Sequence, residues 1–356
     1  MKDVPFQKKY IAKITDAALE LLNDRYQEAS TIVFQAPTGS GKTYMISQAL
    51  SEIVKRSNDP LAFVWISVNS LHEQSLTNLS RYLEDEQLLE CITVDEILDN
   101  ELEEKQIVFF NWESLIKKNN VFRLDNERDW NLKTVAENTR EQGRRIVLIV
   151  DESHRTASAE RAREVVAEIG PALTIEMTAT PLQIAGSLLK VPLHEVIDAG
   201  MIKREVIINP YIKGSAMGND SELIDTALER RKKLKGFYEN LGSEINPLLL
   251  VQVPNARPGR SSNPEDYITE LLADRGYTVK NGRLAIWLSE KKENRDDIEL
   301  PNSPVDVLIF KEAIALGWDC PRAAILYLDR EWSSERISFN IQTLGRIMRM
   351  PEQMHY

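Results

Sequence analysis

Short runs of consecutive apolar residues alternate with amphipathic stretches through the first half of the chain. Residues 31–34 and 146–150 are uninterrupted runs rich in β-branched and bulky side chains, and such runs are typical of strands buried on both faces of a parallel sheet. Apolar residues between 45 and 54 instead recur at the spacing of one helical face. The alternation of strand and helix signals from Thr31 to Met177 predicts a doubly wound α/β lobe.

The second half of the chain repeats this pattern after a polar interruption. Apolar runs at 247–253, 284–288, 305–309 and 324–328 predict further strands, and residues 222–240 predict an amphipathic helix ahead of them. We therefore divide the chain into a first lobe at 1–205, a linker with a connecting helix at 206–246, and a second lobe at 247–356.

A glycine-rich segment lies between the first predicted strand and the helix that follows it. Its candidate phosphate-binding residues are Thr38, Gly39, Ser40, Gly41, Lys42 and Thr43. Two glycines let the backbone turn tightly, so that successive N–H groups face inward at the positive end of the helix. Lys42 can then reach the β- and γ-phosphates of a nucleotide, and the Thr43 hydroxyl can hold Mg²⁺. The strict pattern has glycine where this chain has Ala36, and the alternative is a glycine-rich turn that merely caps a helix.

A second candidate cluster follows the strand predicted at 146–150. Asp151 and Glu152 end that strand, and because catalytic groups gather at the carboxyl ends of parallel strands, we expect Asp151 to lie beside Thr43. Asp151 would bind Mg²⁺, and Glu152 would orient and deprotonate an attacking water. His154, in the same block, is a candidate nucleotide contact. Without the phosphate loop, the same carboxylates would also suit the solvated start of a helix.

A threonine-rich triplet, 178–180, follows another predicted strand. Small hydroxylated residues at this position suit a hinge that relays the state of the nucleotide to the second lobe. The interpretation depends on the position of the triplet in the chain, because such triplets also occur in many turns.

The last part of the chain carries no phosphate loop, but it carries two spaced arginines. Arg346 and Arg349 would share one face of a helix, and we expect no acidic partner near them. Such guanidinium groups suit contact with the γ-phosphate of a nucleotide held by the other lobe. Gln342 and Asp319 are further candidate nucleotide contacts. Asp319 would contact the ribose or help to position the cleft, and the two residues that flank it are predicted to fill the core. The alternative for the arginines is a basic helix at a chain end.

Composition narrows the class of protein. The chain has 356 residues, enough for about two domains. No apolar run approaches the roughly 18 residues of a membrane span, and the first residues lack the apolar core of a signal peptide. The chain has 2 cysteines, too few for a disulfide framework, which favours a reducing cytoplasm. The formal net charge of −11 lowers the expected contribution of bulk electrostatics to nucleic-acid binding, so local basic patches would have to provide it.

Together these blocks resemble the two-lobed motor core of superfamily 2 helicases, over the whole chain. Residues 310–323 and 342–351 are most similar to the restriction subunit of type III restriction–modification enzymes and its DEAD/DEAH-type relatives. The resemblance implies two tandem RecA-like lobes, each a doubly wound parallel sheet, with an ATP site in the cleft between them and ATP and Mg²⁺ as ligands. It also implies that Phe6 and Gln7 recognise adenine, for which an ordinary helix start is the alternative, and that Gln252 belongs to the fourth motif.

The resemblance further implies a function and its partners. We expect an ATP-dependent translocase or helicase motor that acts on nucleic acid, with duplex DNA favoured, and that works with a modification or specificity subunit. The lack of a membrane-spanning apolar run leads us to expect no membrane association. The chain ends at Tyr356, before the nuclease domain that complete restriction subunits carry, so we expect either a fragment or a stand-alone motor, and no DNA cleavage by it. An RNA helicase, and a nucleotide-gated interaction module that does not move along a strand, are the alternatives.

Overall fold

The computed structural model describes most of the chain, in two compact units, Met1–Val196 and Ile197–Tyr356. The described residues are 4–24, 30–68, 71–83, 88–112, 115, 131–151, 160–181, 186–207, 220–254, 263–311, 318–328 and 343–352. The division between the units lies before residue 205, where the sequence places the end of the first lobe. Within these ranges no helix has a stretch that is both long and apolar enough to cross a bilayer.

The first unit is built on one sheet. Its strands are β1 (Ser30–Gln35), β2 (Leu61–Ser67), β3 (Glu90–Ile92), β4 (Gln106–Asn111), β5 (Arg145–Asp151), β6 (Leu173–Thr178) and β7 (Ser187–Lys190). Its helices are α1 (Pro5–Asn23), α2 (Lys42–Arg56), α3 (Leu71–Leu83), α4 (Leu132–Glu141) and α5 (Glu160–Ile169), with a 3₁₀ turn at Val94–Glu96. The strands lie in the order β3-β4-β2-β5-β6-β1-β7, and every neighbouring pair is parallel.

Helices cover both faces of this sheet, as the continuous apolar runs predict. Every residue of β2 is buried, which requires a covering layer on each side. Val64 and Leu148 belong to the core that α4 and α5 close on one face. The alternate residues of the same strand, such as the fully buried Trp65, point to the opposite face, where α1, α2 and α3 pack. The first unit is therefore doubly wound, as predicted.

One strand separates the two strands that carry the predicted phosphate loop and the predicted carboxylates. β6 lies between β1 and β5, with Gln35 paired to Thr178 and Asp151 paired to Met177. Because neighbouring strands lie about 4.8 Å apart, the carboxyl ends of β1 and β5 are separated by roughly 10 Å. Because the strands are parallel, both carboxyl ends lie at the same end of the sheet.

The second unit contains a smaller sheet. Its elements are α7 (Asp220–Asn240), β8 (Leu248–Gln252), α8 (Pro264–Ala273), β9 (Leu284–Trp287), β10 (Lys292–Glu293), β11 (Val307–Phe310) and β12 (Ala323–Leu328), and residues 343–347 are helical. A short helix, α6 (Leu193–Asp198), spans the division between the units. The strand order is β10-β9-β11-β8-β12, so all the strands predicted in this half are present.

The second sheet departs from the predicted wholly parallel arrangement at one side. β10 pairs with β9 in the antiparallel sense, whereas β9, β11, β8 and β12 are mutually parallel. The chain turns straight back after β9, where the Leu288 N–H donates to the Lys291 carbonyl at 2.8 Å. A short reverse turn can only add an antiparallel strand, since a parallel one needs a crossover connection.

Each face of the second sheet has its own apolar core. On one face, Ile224 and Leu228 of α7 pack with α8 and the sheet, so the helix predicted as a connection is part of this unit's core. On the other face, Trp318, Cys320 and Ile347 pack against the strands. The residues that flank Asp319 therefore fill the core, as predicted.

A buried ion pair fixes α7 to the amino-terminal ends of the second sheet. Arg231 of α7, 2% exposed, donates to the carboxylate of Asp306 and to the side-chain oxygen of Asn246. Arg283 donates through Nε to the second carboxylate oxygen of Asp306 at 2.6 Å. Asp306 immediately precedes β11, and Asn246, which donates to the Asp306 carboxylate, lies two residues before β8, so one carboxylate joins a helix to the starts of two strands.

Candidate functional site

The predicted phosphate loop adopts the backbone conformation that its glycines permit. Gly39 and Gly41 have positive φ angles of 85° and 82°, a region in which a side chain is strained. Between them, the Ser40 N–H donates to the Pro37 carbonyl at 3.2 Å, and Ser40 is completely buried. The segment thus folds back on itself directly after β1 and leads straight into α2.

The amino-terminal end of α2 suits an anion. Gly41 is the N-cap and provides no side-chain cap, and the first turn contains no acidic residue. The N–H groups of this first turn and the positive end of the helix dipole therefore point at the loop, and no residue of the turn itself is acidic. Lys42, the first helical residue, lies over the loop, with its Nζ donating to the Ala36 carbonyl at 3.2 Å. Thr43 follows it and is half-buried, so its hydroxyl belongs to the same end of the helix.

Helix α1 contacts the phosphate loop through a buried side chain. The Gln7 side chain donates through Nε2 to the Ser40 carbonyl at 2.9 Å, in a site where Gln7 is 4% exposed. Phe6 is buried beside it. The sequence assigned both residues to adenine recognition, which stays a prediction, but it missed this hydrogen bond. A glutamine near a chain start carries no signal for a partner 33 residues further on.

The threonine triplet joins the start of the phosphate loop to the end of β6, the strand that pairs with β5. The Ala36 N–H donates to the Thr178 carbonyl at 3.1 Å, and the Gln35 side chain donates to the Ala179 carbonyl at 3.4 Å. Asp151, at the end of β5, is paired with Met177. Asp151 ends β5, and β6 lies between β5 and β1, so the position of Asp151 beside Thr43 stays a prediction. Glu152 and His154 lie outside the described residues.

The donor set at this end of the sheet fits a nucleoside triphosphate with Mg²⁺. Backbone amides, the Lys42 ammonium and the Thr43 hydroxyl belong to the start of α2, and Asp151 ends β5, the second strand from β1 in the sheet. The described part of the chain has no group of three or more His, Cys, Asp or Glu that could hold a metal alone. Mg²⁺ fits this arrangement because it typically binds one or two carboxylates together with substrate phosphates and retained waters.

The two predicted arginines of the second unit do not share one helical face. Arg346 is helical and 8% exposed, but Arg349 lies beyond the helix, in an antiparallel bridge with Ile202. The helix ends because residues 348–350 pair as an extended segment with residues 201–203. The expected i, i+3 relation is therefore wrong, although both side chains belong to one short segment.

The expectation that these arginines have no acidic partner is also wrong. The Arg349 guanidinium donates to the Asp319 carboxylate, and this ion pair leaves Arg349 17% exposed and Asp319 55% exposed. Asp319 therefore has a partner within the second unit, and its contact with a ribose stays a prediction. Gln342 lies outside the described residues.

Gln252, predicted as part of the fourth motif, ends β8 and is completely buried. Its Nε2 donates to the Lys311 carbonyl at 2.8 Å, whereas its Oε1 has no hydrogen-bond donor within the described residues. This amide therefore joins the ends of β8 and β11 at the carboxyl side of the second sheet.

Comparisons with known proteins find related sequences and related folds. A family model described as type III restriction enzyme, res subunit, matches residues 1–183. "Putative helicase 22" of Sulfolobus islandicus filamentous virus (isolate Iceland/Hveragerdi) is 24% identical over 347 residues, which are 90% of this chain and 58% of that protein. The ATP-dependent Type ISP restriction–modification enzyme LlaBIII bound to DNA has a TM-score of 0.55 at 14% identity, over 100% of this chain and 27% of that one. S. cerevisiae Dbp5 bound to RNA and ADP BeF3 has a TM-score of 0.50 at 14% identity, over 94% of this chain and 79% of that one.

These matches confirm the resemblance predicted from the sequence. The chain spans 58% of the length of the viral relative. The structural likenesses, at 14% identity, concern the fold alone, and they confirm the predicted α/β architecture with two lobes.

Proposed function

The chain belongs to the family of type III restriction enzyme res subunits, and we propose that it is a nucleic-acid-dependent ATPase motor that translocates on duplex DNA. The observation that carries this proposal is the glycine turn at the start of α2, a helix without a side-chain cap, at the same end of the sheet as Asp151. Inward backbone amides, a lysine, a hydroxyl and a carboxylate are the parts with which proteins hold the phosphates of ATP and its metal.

The first unit would bind ATP and prepare its γ-phosphate for attack. The loop amides and Lys42 hold the β- and γ-phosphates, and Thr43 and Asp151 hold the metal. A Mg²⁺ ion held by Thr43 and Asp151 would supply positive charge that neutralises the phosphates. Glu152 follows Asp151 in the chain, and in this proposal it orients the attacking water and accepts its proton.

The second unit would complete the site by contributing arginines. In this proposal Arg346 and Arg349 engage the γ-phosphate, and such arginines raise the rate of nucleotide hydrolysis by about 10³–10⁵. Arg349 is paired with Asp319, so it must exchange a carboxylate for a phosphate to act in this way. A movement that makes this exchange couples hydrolysis to displacement along a strand.

We propose duplex DNA as the nucleic acid on which the motor acts. LlaBIII, which has the same fold, is bound to DNA, and Dbp5 is bound to RNA and an ADP complex. The net charge of −11 means that binding depends on local contacts rather than on bulk attraction, so assays belong at low ionic strength. A modification or specificity subunit is the expected partner.

Two substitutions test the division of roles within the first unit. Lys42→Ala removes a cation that contacts the phosphates before reaction, so we expect it to lose both ATP binding and turnover. Glu152→Gln removes only the base, so we expect it to bind ATP with the parent affinity and to stall hydrolysis. The measurements are equilibrium binding of a fluorescent ATP analogue and steady-state phosphate release.

The control for the lysine variant is Lys55→Ala, at the far end of the same helix, where an exposed lysine pairs with Glu52. It keeps binding and turnover. Hydrolysis at the parent rate by Glu152→Gln would show that another group activates the water. Undiminished ATP binding by Lys42→Ala would overturn the assignment of the loop.

A further inference from the structure

Lys203 directs its amine into the second unit, towards the segment that carries both arginines. Its Nζ donates to the Ala323 carbonyl at the start of β12 at 3.2 Å, and it also donates to the Ile347 carbonyl. Ile347 is the last residue in helical conformation before the segment leaves the helix. A cation is favourable at this position because the carboxyl-terminal end of a helix presents unpaired carbonyls and a partial negative charge.

The backbone on both sides of Lys203 is joined to the same segment. The Lys203 N–H donates to the Met348 carbonyl at 2.6 Å, and the Met350 N–H donates to the Met201 carbonyl at 3.1 Å. Between these two bonds, Ile202 stands opposite Arg349. Residues 201–203 thus bind Ile347, which follows Arg346, and they also bind Met348 and Met350, the two neighbours of Arg349.

We propose that Lys203 is a positioning residue for Arg346 and Arg349, and that its ammonium fixes the end of the helix at residues 343–347 against β12. The proposal rests on the proposed function, because the two arginines serve ATP hydrolysis there. It also gives a role to residues 201–203, which lie just after the division between the two units. A displacement of this stretch would move Ile347, Met348 and Met350, the hydrogen-bonded residues that flank Arg346 and Arg349.

The environment of the amine makes its charge sensitive to pH. Burial lowers the pKa of Lys203 to about 8, and Cys320 opposes this shift. Burial in turn raises the pKa of the Cys320 thiol to about 11, so the thiol stays neutral while the lysine titrates. The charged side chains on the two segments that pack against Lys203, residues 318–328 and 343–352, are Asp319, Arg322, Arg346, Arg349 and Glu352. Carboxylate and guanidinium groups ordinarily titrate far from pH 8, so the lysine is the group in this cluster that changes its charge near that pH.

The test compares Lys203→Met, Lys203→Arg and the parent in nucleic-acid-stimulated ATP hydrolysis from pH 6.5 to 9.5. Methionine keeps the length of the side chain and removes the donor, and we expect kcat to fall about 10-fold while the KM for ATP changes less than twofold. Arginine keeps a charge at every pH tested. It should retain most of the rate at pH 7 and lack the alkaline decline, with a midpoint at about pH 8, that the parent shows.

A control substitution, Arg204→Met, changes the exposed neighbour of Lys203 and should keep the parent profile. Thermal unfolding of each variant separates a lost fold from a displaced segment. The proposal is overturned if Lys203→Met keeps the parent kcat, or if parent and Lys203→Arg show the same alkaline decline.

Hydrogen exchange keeps this test independent of the proposed function. In Lys203→Met, amide exchange in peptides covering 343–352 should rise about 10-fold, while exchange in β9 stays at the parent rate. Unchanged exchange at 343–352 would overturn the positioning role even if the parent enzyme hydrolysed no ATP. Absence of turnover in the parent, with increased exchange in the variant, would instead count against the proposed function alone.

Discussion

The hydrogen bond from Gln7 to the phosphate loop offers the sharpest test of how the first unit prepares its nucleotide site. Gln7 is 4% exposed, and its Nε2 donates to the carbonyl of the completely buried Ser40 at 2.9 Å. Gln7→Met keeps the shape of the side chain but leaves that carbonyl without this donor. A buried acceptor that loses its donor costs about 1–3 kcal/mol. The loop can avoid this cost by moving the Ser40 carbonyl to another donor, which takes it out of its ATP-binding conformation. The affinity for ATP then falls by about 10-fold, which corresponds to about 1.4 kcal/mol.

A second substitution at the same position, Gln7→Glu, makes the predicted loss of ATP affinity depend on pH. A protonated carboxyl donates to the Ser40 carbonyl as the amide does, whereas an ionised carboxylate repels it. Burial disfavours the charged form, so the folded pKa of the introduced glutamate lies above its unfolded value. The stabilising contribution is therefore present at low pH and is lost as the pH rises through the folded pKa. We expect Gln7→Glu to bind ATP nearly as the parent does at pH 5.5 and at least as weakly as Gln7→Met at pH 8.

The assay is equilibrium binding of a fluorescent ATP analogue at both pH values, with thermal unfolding in parallel. Gln48→Met is the matched control, because this glutamine of α2 donates at 3.5 Å to Tyr82, away from the loop. It should bind ATP as the parent does. Binding within twofold of the parent by Gln7→Met, in a folded protein, would refute the claim that α1 holds the loop in its binding conformation.

Two further predictions concern the stability of the second unit. Asp306→Asn leaves the buried Arg231 without its carboxylate and should lower the free energy of unfolding by about 3–5 kcal/mol. The control Asp225→Asn breaks a surface ion pair and should lower it by less than about 1 kcal/mol. Equal losses for the two variants in urea titrations would contradict the burial of the Arg231–Asp306 pair. Because the folded pKa of Lys203 is about 8 and its ordinary value is 10.5, the unfolded state binds more protons in that window, and stability should rise by about 1 kcal/mol between pH 7 and 9 relative to Lys203→Met. Above about pH 9 the thiol of Cys320, with its pKa raised to about 11, acts in the opposite sense, and a parent-to-variant difference independent of pH would contradict the titration of Lys203.

The elements that the sequence predicts well are those whose signals are local. Continuous apolar runs identify the buried parallel strands, because a strand covered on both faces has no polar side to show. The two glycines of the loop lie at positions with positive φ, so their place in the chain predicts the turn between β1 and α2. The loop follows β1 and Asp151 ends β5, and because both strands are parallel members of one sheet, the loop and Asp151 lie at the same end of it.

The features that the sequence does not predict depend on contacts between distant residues. Helical spacing places Arg346 and Arg349 on one face, but pairing of residues 348–350 with 201–203 ends the helix between them. A lysine in a polar stretch gives no sign that its amine will lie between two carbonyls more than 100 residues further along the chain. The partner of Asp319 is likewise set by where the arginine segment docks, and that position follows from packing rather than from sequence spacing.

The most direct test of the central claim is steady-state ATP hydrolysis at low salt with no nucleic acid, duplex DNA, single-stranded DNA or RNA. Lys42→Ala under the same conditions gives the background. We predict that duplex DNA raises the turnover of the parent well above its rate without nucleic acid and leaves the variant at background. Stimulation by RNA alone would assign the motor to RNA, and turnover that none of the three nucleic acids raises would contradict the claim that nucleic acid drives this ATPase.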